Sequence, residues 1–92
     1  SAPALAEIAK LLKASPALSI YVVGHTDGVG ALDANLDLSR RRAGAAVKEL
    51  VDKYGVAAAR LSPQGVGPLV PLASNGAEPG RAKNRRVDLV KK

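Results

Sequence analysis

The sequence predicts an α/β (α+β) sandwich, with two helices packed on a small mixed β-sheet. Three observations lead there. Residues 1–13 and 33–54 repeat apolar side chains at three- and four-residue steps, the period of an amphipathic helix. Short runs rich in β-branched residues lie between and after them. The resulting order of helix, strand, helix, strand, strand is that of a helix-covered sheet.

In the first helix, expected from Ser1 to Lys13, Pro3 suits an opening turn, and Leu5, Ile8, Ala9 and Leu12 share one face. Ser15-Pro16 stops it, because the residue before proline is pushed out of the helical region. Leu18 to Val23 reads as a buried strand, and Gly24 to Gly30 as a loop with three glycines in seven positions. From about Asp33 to Tyr54 a second helix presents Ala43, Ala46, Val47, Leu50, Val51 and Tyr54, and Gly55 supplies its stop. Arg60 to Gly67 is a second strand, placed at an edge or irregular by Pro63. Pro68 to Gly80, with three prolines and Asn75-Gly76, reads as a long loop, and Val87 to Val90 as the last strand. The chain carries no internal repeat.

A chain of 92 residues makes one domain with a modest core. That core is built of Ala, Val, Leu and Ile, since Tyr21 and Tyr54 are the only aromatics. Cysteine is absent, which excludes disulfides, thiolate metal sites and a cysteine nucleophile. No stretch reaches the roughly twenty apolar residues of a membrane span, and the start carries no signal-peptide pattern. The chain is therefore either cytosolic or a mature piece of something longer. A net charge of +6 suggests an anionic partner. However, the basic residues fall in two blocks, Arg40 to Arg42 and Arg81 to Lys92, without interleaved aromatics. A solvated basic surface accounts for that pattern, with a nucleic-acid-binding module as the alternative.

The chemistry concentrates where the apolar run ends in Gly24-His25-Thr26-Asp27-Gly28. On the following helix Asn35, Leu38, Ser39 and Arg42 share one stripe, a shoulder beside the core face. If that helix packs on the strand ending at Gly24, Asp27 and Arg42 converge at the carboxyl end of the strand, a common ligand position. A carboxylate and a guanidinium there can each hold half of a zwitterion, the ammonium by one and the carboxylate by the other. The spacing alone equally permits a structural ion pair. His25, Asp27 and Ser39 together suggest a hydrolytic triad, but the strained nucleophile turn that such chemistry requires is missing. As the sole histidine among scattered carboxylates, His25 makes no metal set, and it is read as shaping the loop. The glycines fit neither phosphate-binding fingerprint. Arg81, Arg85 and Arg86 are placed to cap the loop by bonding its carbonyls and acids. Arg85 and Arg86, expected in a strand, would face opposite sides.

Taken together, Gly24-His25-Thr26-Asp27, Gly30, Asn35, Leu38-Ser39, Arg42-Ala43, Val47, Leu50, Gly55-Val56, Arg60-Leu61, Gly65-Val66-Gly67, Pro71, Asn75, Gly80-Arg81 and Asn84-Arg85-Arg86-Val87 resemble the outer membrane protein A-like (OmpA-like) C-terminal domain, over nearly the whole chain. The resemblance implies a periplasmic, non-enzymatic domain of a Gram-negative bacterium, without cofactor or metal. Such domains occur on outer-membrane barrels, peptidoglycan-associated lipoproteins and flagellar motor stators. It implies non-covalent binding of peptidoglycan through the diaminopimelate of the stem peptide, tethering an envelope component to the cell wall, with no nucleic acid partner. Asp27 and Arg42 match the family's key aspartate and arginine, which favours the zwitterion clamp over the ion pair. Thr26, Asn35 and Leu38 match positions that line or support the pocket, with His25, Gly28, Arg85 and Arg86 as further supports. The family fold opens with a strand before its first helix, whereas this chain starts at or just inside that helix. The resemblance thus implies a domain truncated at its N-terminus, with any membrane link through an anchor elsewhere and an open sheet edge able to pair with a second copy. Two further departures are Ala34, often aromatic in the family, and Ala77, where a threonine is usual and whose loss should loosen the adjoining loop.

Overall fold

The computed structural model describes residues 2–92, with side chains from residue 4 onward. The expected helix start at Ser1 lies outside the described residues. In chain order the elements are α1 (Ala2–Ala14), β1 (Ile20–His25), α2 (Leu32–Asp52), a short 3₁₀ turn (Ala58–Arg60), β2 (Leu61–Gly67), α3 (Glu78–Asn84) and β3 (Val87–Lys91). The sheet order is β2-β1-β3, with β2 parallel and β3 antiparallel to β1. This is the mixed, helix-covered sheet the sequence predicts, with Pro63 on an edge strand as expected.

Two expectations need correction. The described residues hold three helices, because Glu78 to Asn84, read as loop and lead-in, forms α3. Its signals are local: Pro79 in the first turn, Glu78 at the positive end of the helix dipole, and Arg81 and Lys83 at the negative end. Seven residues give too little length for an apolar period to register. Ala77 stands at its N-cap and makes no side-chain bond there. The second correction concerns β1, which runs through Gly24 to His25, so that the loop begins only at Thr26.

Alternation along the strands sets the layers. Ile20 and Val22 are buried toward the helices while Tyr21 between them is exposed. With Ala9 and Leu12 of α1, Ala43 and Leu50 of α2, Val56 and Leu61, they form the core. Each larger aliphatic chain buried there contributes about 1.5–3 kcal/mol. Arg60 fastens the end of α1 to this core: its guanidinium donates to the carbonyls of Leu12 (2.7 Å), Ser15 (2.8 Å) and Leu18 (2.9 Å). Gly55, at φ 71°, turns the chain out of α2 as predicted, with the Val56 amide bonded to the Leu50 carbonyl at 3.0 Å.

The seat of α2 on the sheet is the contact that positions the site. A Cβ on Gly24 would fall 2.2 Å from the Ser39 carbonyl oxygen, and one on Gly65 would fall 2.4 Å from the Arg40 amide nitrogen. Glycine at both positions lets the helix backbone lie directly on β1 and β2. Ser39, fully buried, completes the joint: its hydroxyl donates to the Leu36 carbonyl (2.8 Å) and accepts from the Gly67 amide (2.9 Å).

Candidate functional site

The loop after β1 is held from three sides. The Thr26 amide donates to the Gly67 carbonyl (2.9 Å), and the buried Thr26 hydroxyl donates to the Asp27 carbonyl (2.9 Å). Asn35, buried on the first turn of α2, donates to the Val29 carbonyl (2.9 Å). The Gly28 amide donates to Asn75 Oδ1 (3.1 Å) in the loop before α3. Asn84, fully buried at the end of α3, holds that second loop. Its Oδ1 accepts from the amides of Leu72 (2.7 Å) and Ala73 (3.1 Å), and its Nδ2 donates to the Ala73 carbonyl (2.9 Å) and to Asn75 Oδ1 (2.8 Å). Thr26, Asn35 and Gly28 are thus bonded into the loop, while Asn84 and Asn75 complete a polar frame that the sequence does not assign.

Asp27 projects from this frame with both oxygens engaged. Oδ1 accepts from the Val29 amide (3.0 Å), and Oδ2 accepts from Arg85 Nη1 (2.8 Å). Arg85 also grips Glu78 through Nη2, and Glu78 in turn accepts from Arg81 Nε (3.2 Å). The Arg85 guanidinium holds the carboxyls of both Asp27 and Glu78 below the usual range, and the two acids raise the pKa of Arg85. Arg81 further donates to the Asn75 carbonyl (3.1 Å). The ion partner of Asp27 is thus Arg85, 58 positions away in sequence, and not Arg42.

Arg42 stands exposed on α2, one turn beyond Ser39. It lines a groove of about 500 Å³ whose apolar side is formed by Leu5, Ile8, Ala45 and Ala46 and whose charged side holds Arg42, Arg85, Arg86 and Glu49. Of these guanidiniums, Arg85 is matched by Asp27 and Glu78 and Arg86 by Asp88, which leaves Arg42 open to an anion. Arg42 is the one guanidinium of the three that bonds nothing among the described residues. Arg85 joins groove to loop, since it lines the one and bonds Asp27 in the other. Leu38 is half-buried on the same stripe of α2 as Asn35 and does not line the groove.

His25 and Arg86 form a separate polar cluster. His25, 4% exposed, places Nε2 3.1 Å from Asp88 Oδ2, and Arg86 Nε reaches the same oxygen at 3.0 Å. Arg86 Nη2 also donates to the Val70 carbonyl (3.0 Å). Burial, then the nearby Arg86 charge, lower the pKa of His25, with Asp88 opposing. The imidazole is therefore neutral at physiological pH and pairs with Asp88 rather than Asp27. Ser39 is committed to the α2 seat, so these three side chains form no triad. Neither Arg85 nor Arg86 stands in a strand as expected: Arg85 caps α3, Arg86 precedes β3, and both line the groove.

Fold and site together define a class: a small mixed sheet covered by helices that carries charged side chains at the carboxyl end of its parallel strands. The chain belongs to the OmpA family, whose family model matches residues 1–85. It is similar to outer membrane porin F of Pseudomonas aeruginosa, with 44% identity over 88% of this chain and 23% of the porin. It is also similar to the peptidoglycan-binding protein ArfA of Mycobacterium tuberculosis, with 41% identity over 94% of this chain and 26% of ArfA. The chain thus spans about a quarter of the length of each of these relatives. The crystal structure of the peptidoglycan-associated lipoprotein of Burkholderia pseudomallei superposes with a TM-score of 0.85 at 34% identity, covering 96% of this chain and 74% of that one.

Proposed function

We propose that this domain binds peptidoglycan non-covalently and tethers an envelope protein to the cell wall, in the periplasm of a Gram-negative bacterium, without catalysing a reaction. The ligand is the diaminopimelate of the stem peptide, whose free end carries one ammonium and one carboxylate. Asp27 receives the ammonium and Arg42 the carboxylate. The observation that carries this reading is Arg42 itself, an exposed guanidinium lining the groove with no partner of its own among the described residues. Family membership and the peptidoglycan-related names of ArfA and the lipoprotein support it.

Each charge-assisted bond contributes about 1.5–3 kcal/mol before the costs of ordering and desolvation. One site therefore binds weakly, and a wall presenting many copies makes up the difference by avidity. Retention on purified sacculi should fall by at least about tenfold for Arg42→Ala and for Asp27→Ala. Arg42→Lys should also weaken retention, because two parallel bonds become one. Melting curves establish that each variant is folded. Equal retention of wild type and all three folded variants refutes the assignment.

A further inference from the structure

Resting on the reading above, we infer that Arg85 is a specificity-determining residue: an internal occupant of Asp27 that admits zwitterions and turns away plain amines. In the free chain Asp27 is already matched. Its Oδ2 takes the Arg85 guanidinium at 2.8 Å and its Oδ1 the Val29 amide at 3.0 Å. A ligand ammonium therefore competes for this carboxylate with a tethered cation, always present at high local concentration.

What the ligand offers in return decides the outcome. A plain amine that displaces Arg85 forms one ion pair and breaks one, leaving the guanidinium with Glu78 alone. A zwitterion forms the same pair at Asp27, and its carboxylate supplies a new acceptor for the released Nη1. The number of charge-assisted bonds then rises instead of standing still. Glu78 makes the exchange local: by holding Nη2 it keeps Arg85 at the groove that Arg42 also lines, and a carboxylate arriving there meets both arginines. The Arg85 side chain is 37% exposed and that of Asp27 15%, so a ligand reaches the pair without unfolding the loop.

The probes are meso-diaminopimelic acid and cadaverine, the same diamine without its carboxylates, titrated separately by NMR. Wild type should bind the amino acid at least about tenfold more tightly than the diamine. Arg85→Gln should narrow that ratio by about tenfold, weakening the first ligand and not the second. Glu78→Gln retains Arg85 but leaves Asp27 as its sole carboxylate partner, and should widen the ratio. It also gives an independent reading where Arg85→Gln does not fold. Arg41→Gln removes an equal charge from an exposed pair with Asp37 and should leave the ratio unchanged. A ratio that stays at the wild-type value in Arg85→Gln and Glu78→Gln, while both ligands bind, overturns this inference and leaves the wall-binding reading standing. Failure of the wild type to bind diaminopimelate, with no retention on sacculi, overturns both.

Discussion

Asn84→Asp is the smallest change that tests the polar frame. The substitution keeps the shape of the side chain and the oxygen that accepts from the Leu72 and Ala73 amides. It replaces an amide that donates to the Ala73 carbonyl and to Asn75 Oδ1 with a carboxylate oxygen facing two other oxygens. Asn84 is fully buried, so solvent does little to relieve that opposition. Two lost donors at about 1–3 kcal/mol each give a total destabilisation of about 2–6 kcal/mol at neutral pH. For a domain of this size each kcal/mol lowers Tm by about 4–8 °C. The pH dependence makes the test specific. Burial and facing oxygens raise the folded pKa of the introduced carboxyl above its unfolded value of about 3.9. Its protonated, donating form then supplies stability that is full below about pH 3.9 and is lost as pH rises through the folded pKa. The gap in Tm between variant and wild type, followed by circular dichroism from pH 4 to pH 8, should therefore widen as pH increases. A gap constant across that range, or one below about 2 °C throughout, refutes the assignment of Asn84 as the closed joint between α3 and the two loops.

Two further outcomes follow from the same geometry. The folded pKa of His25 lies below its unfolded value of 6.5, so its contribution to stability is full above about pH 6.5 and is lost as pH falls through the folded pKa. Urea unfolding should show this loss between pH 7.5 and 5.5, and His25→Gln should flatten the slope in that window. Gly24→Ala places a methyl group against the Ser39 backbone at 2.2 Å and should cost at least about 1–3 kcal/mol. It should also reduce retention on sacculi, because Arg42 rides on the helix that must lift, whereas unchanged stability would show that the α2 seat tolerates the extra carbon.

Much of this molecule is legible in its sequence because local periodicity dictates it. The 3.6-residue stripe of Ala43, Val47 and Leu50 specifies α2, and Pro63 specifies an edge. Gly24 is legible as a permissive position, but its reason, like that of Gly65, is tertiary: both face the Ser39–Arg40 backbone. α3 is hidden because its bonds come from Asn84, from ion pairs within its own length and from the Arg85–Asp27 pair to the loop after β1, not from an apolar face. The partners of Asp27 and His25 were hidden for a related reason. Arg85 and Asp88 lie about sixty positions downstream, and only the antiparallel return of β3 beside β1 brings them close. The sequence does mark Arg85 as a residue able to bond the acids of the loop. It does not say which acid.

One contact organises the site more than the charges do. Asp27 follows Gly24 by three residues, and Arg42 follows Ser39 by three, about 4.5 Å along the helix. Ser39 rests on Gly24 and Gly65 and is locked by the Gly67 amide, so both charges are measured from the same joint. Neither needs a bond to the other to hold its place. That independence suits binding, since two opposite charges that satisfied each other would leave a ligand nothing to do. Arg42 is left open, and Asp27 is held by Arg85 from another segment. The proposed wall-binding reading and the inferred role of Arg85 both start from one arrangement: a helix fixed by its backbone, with Arg42 left free to serve a third party.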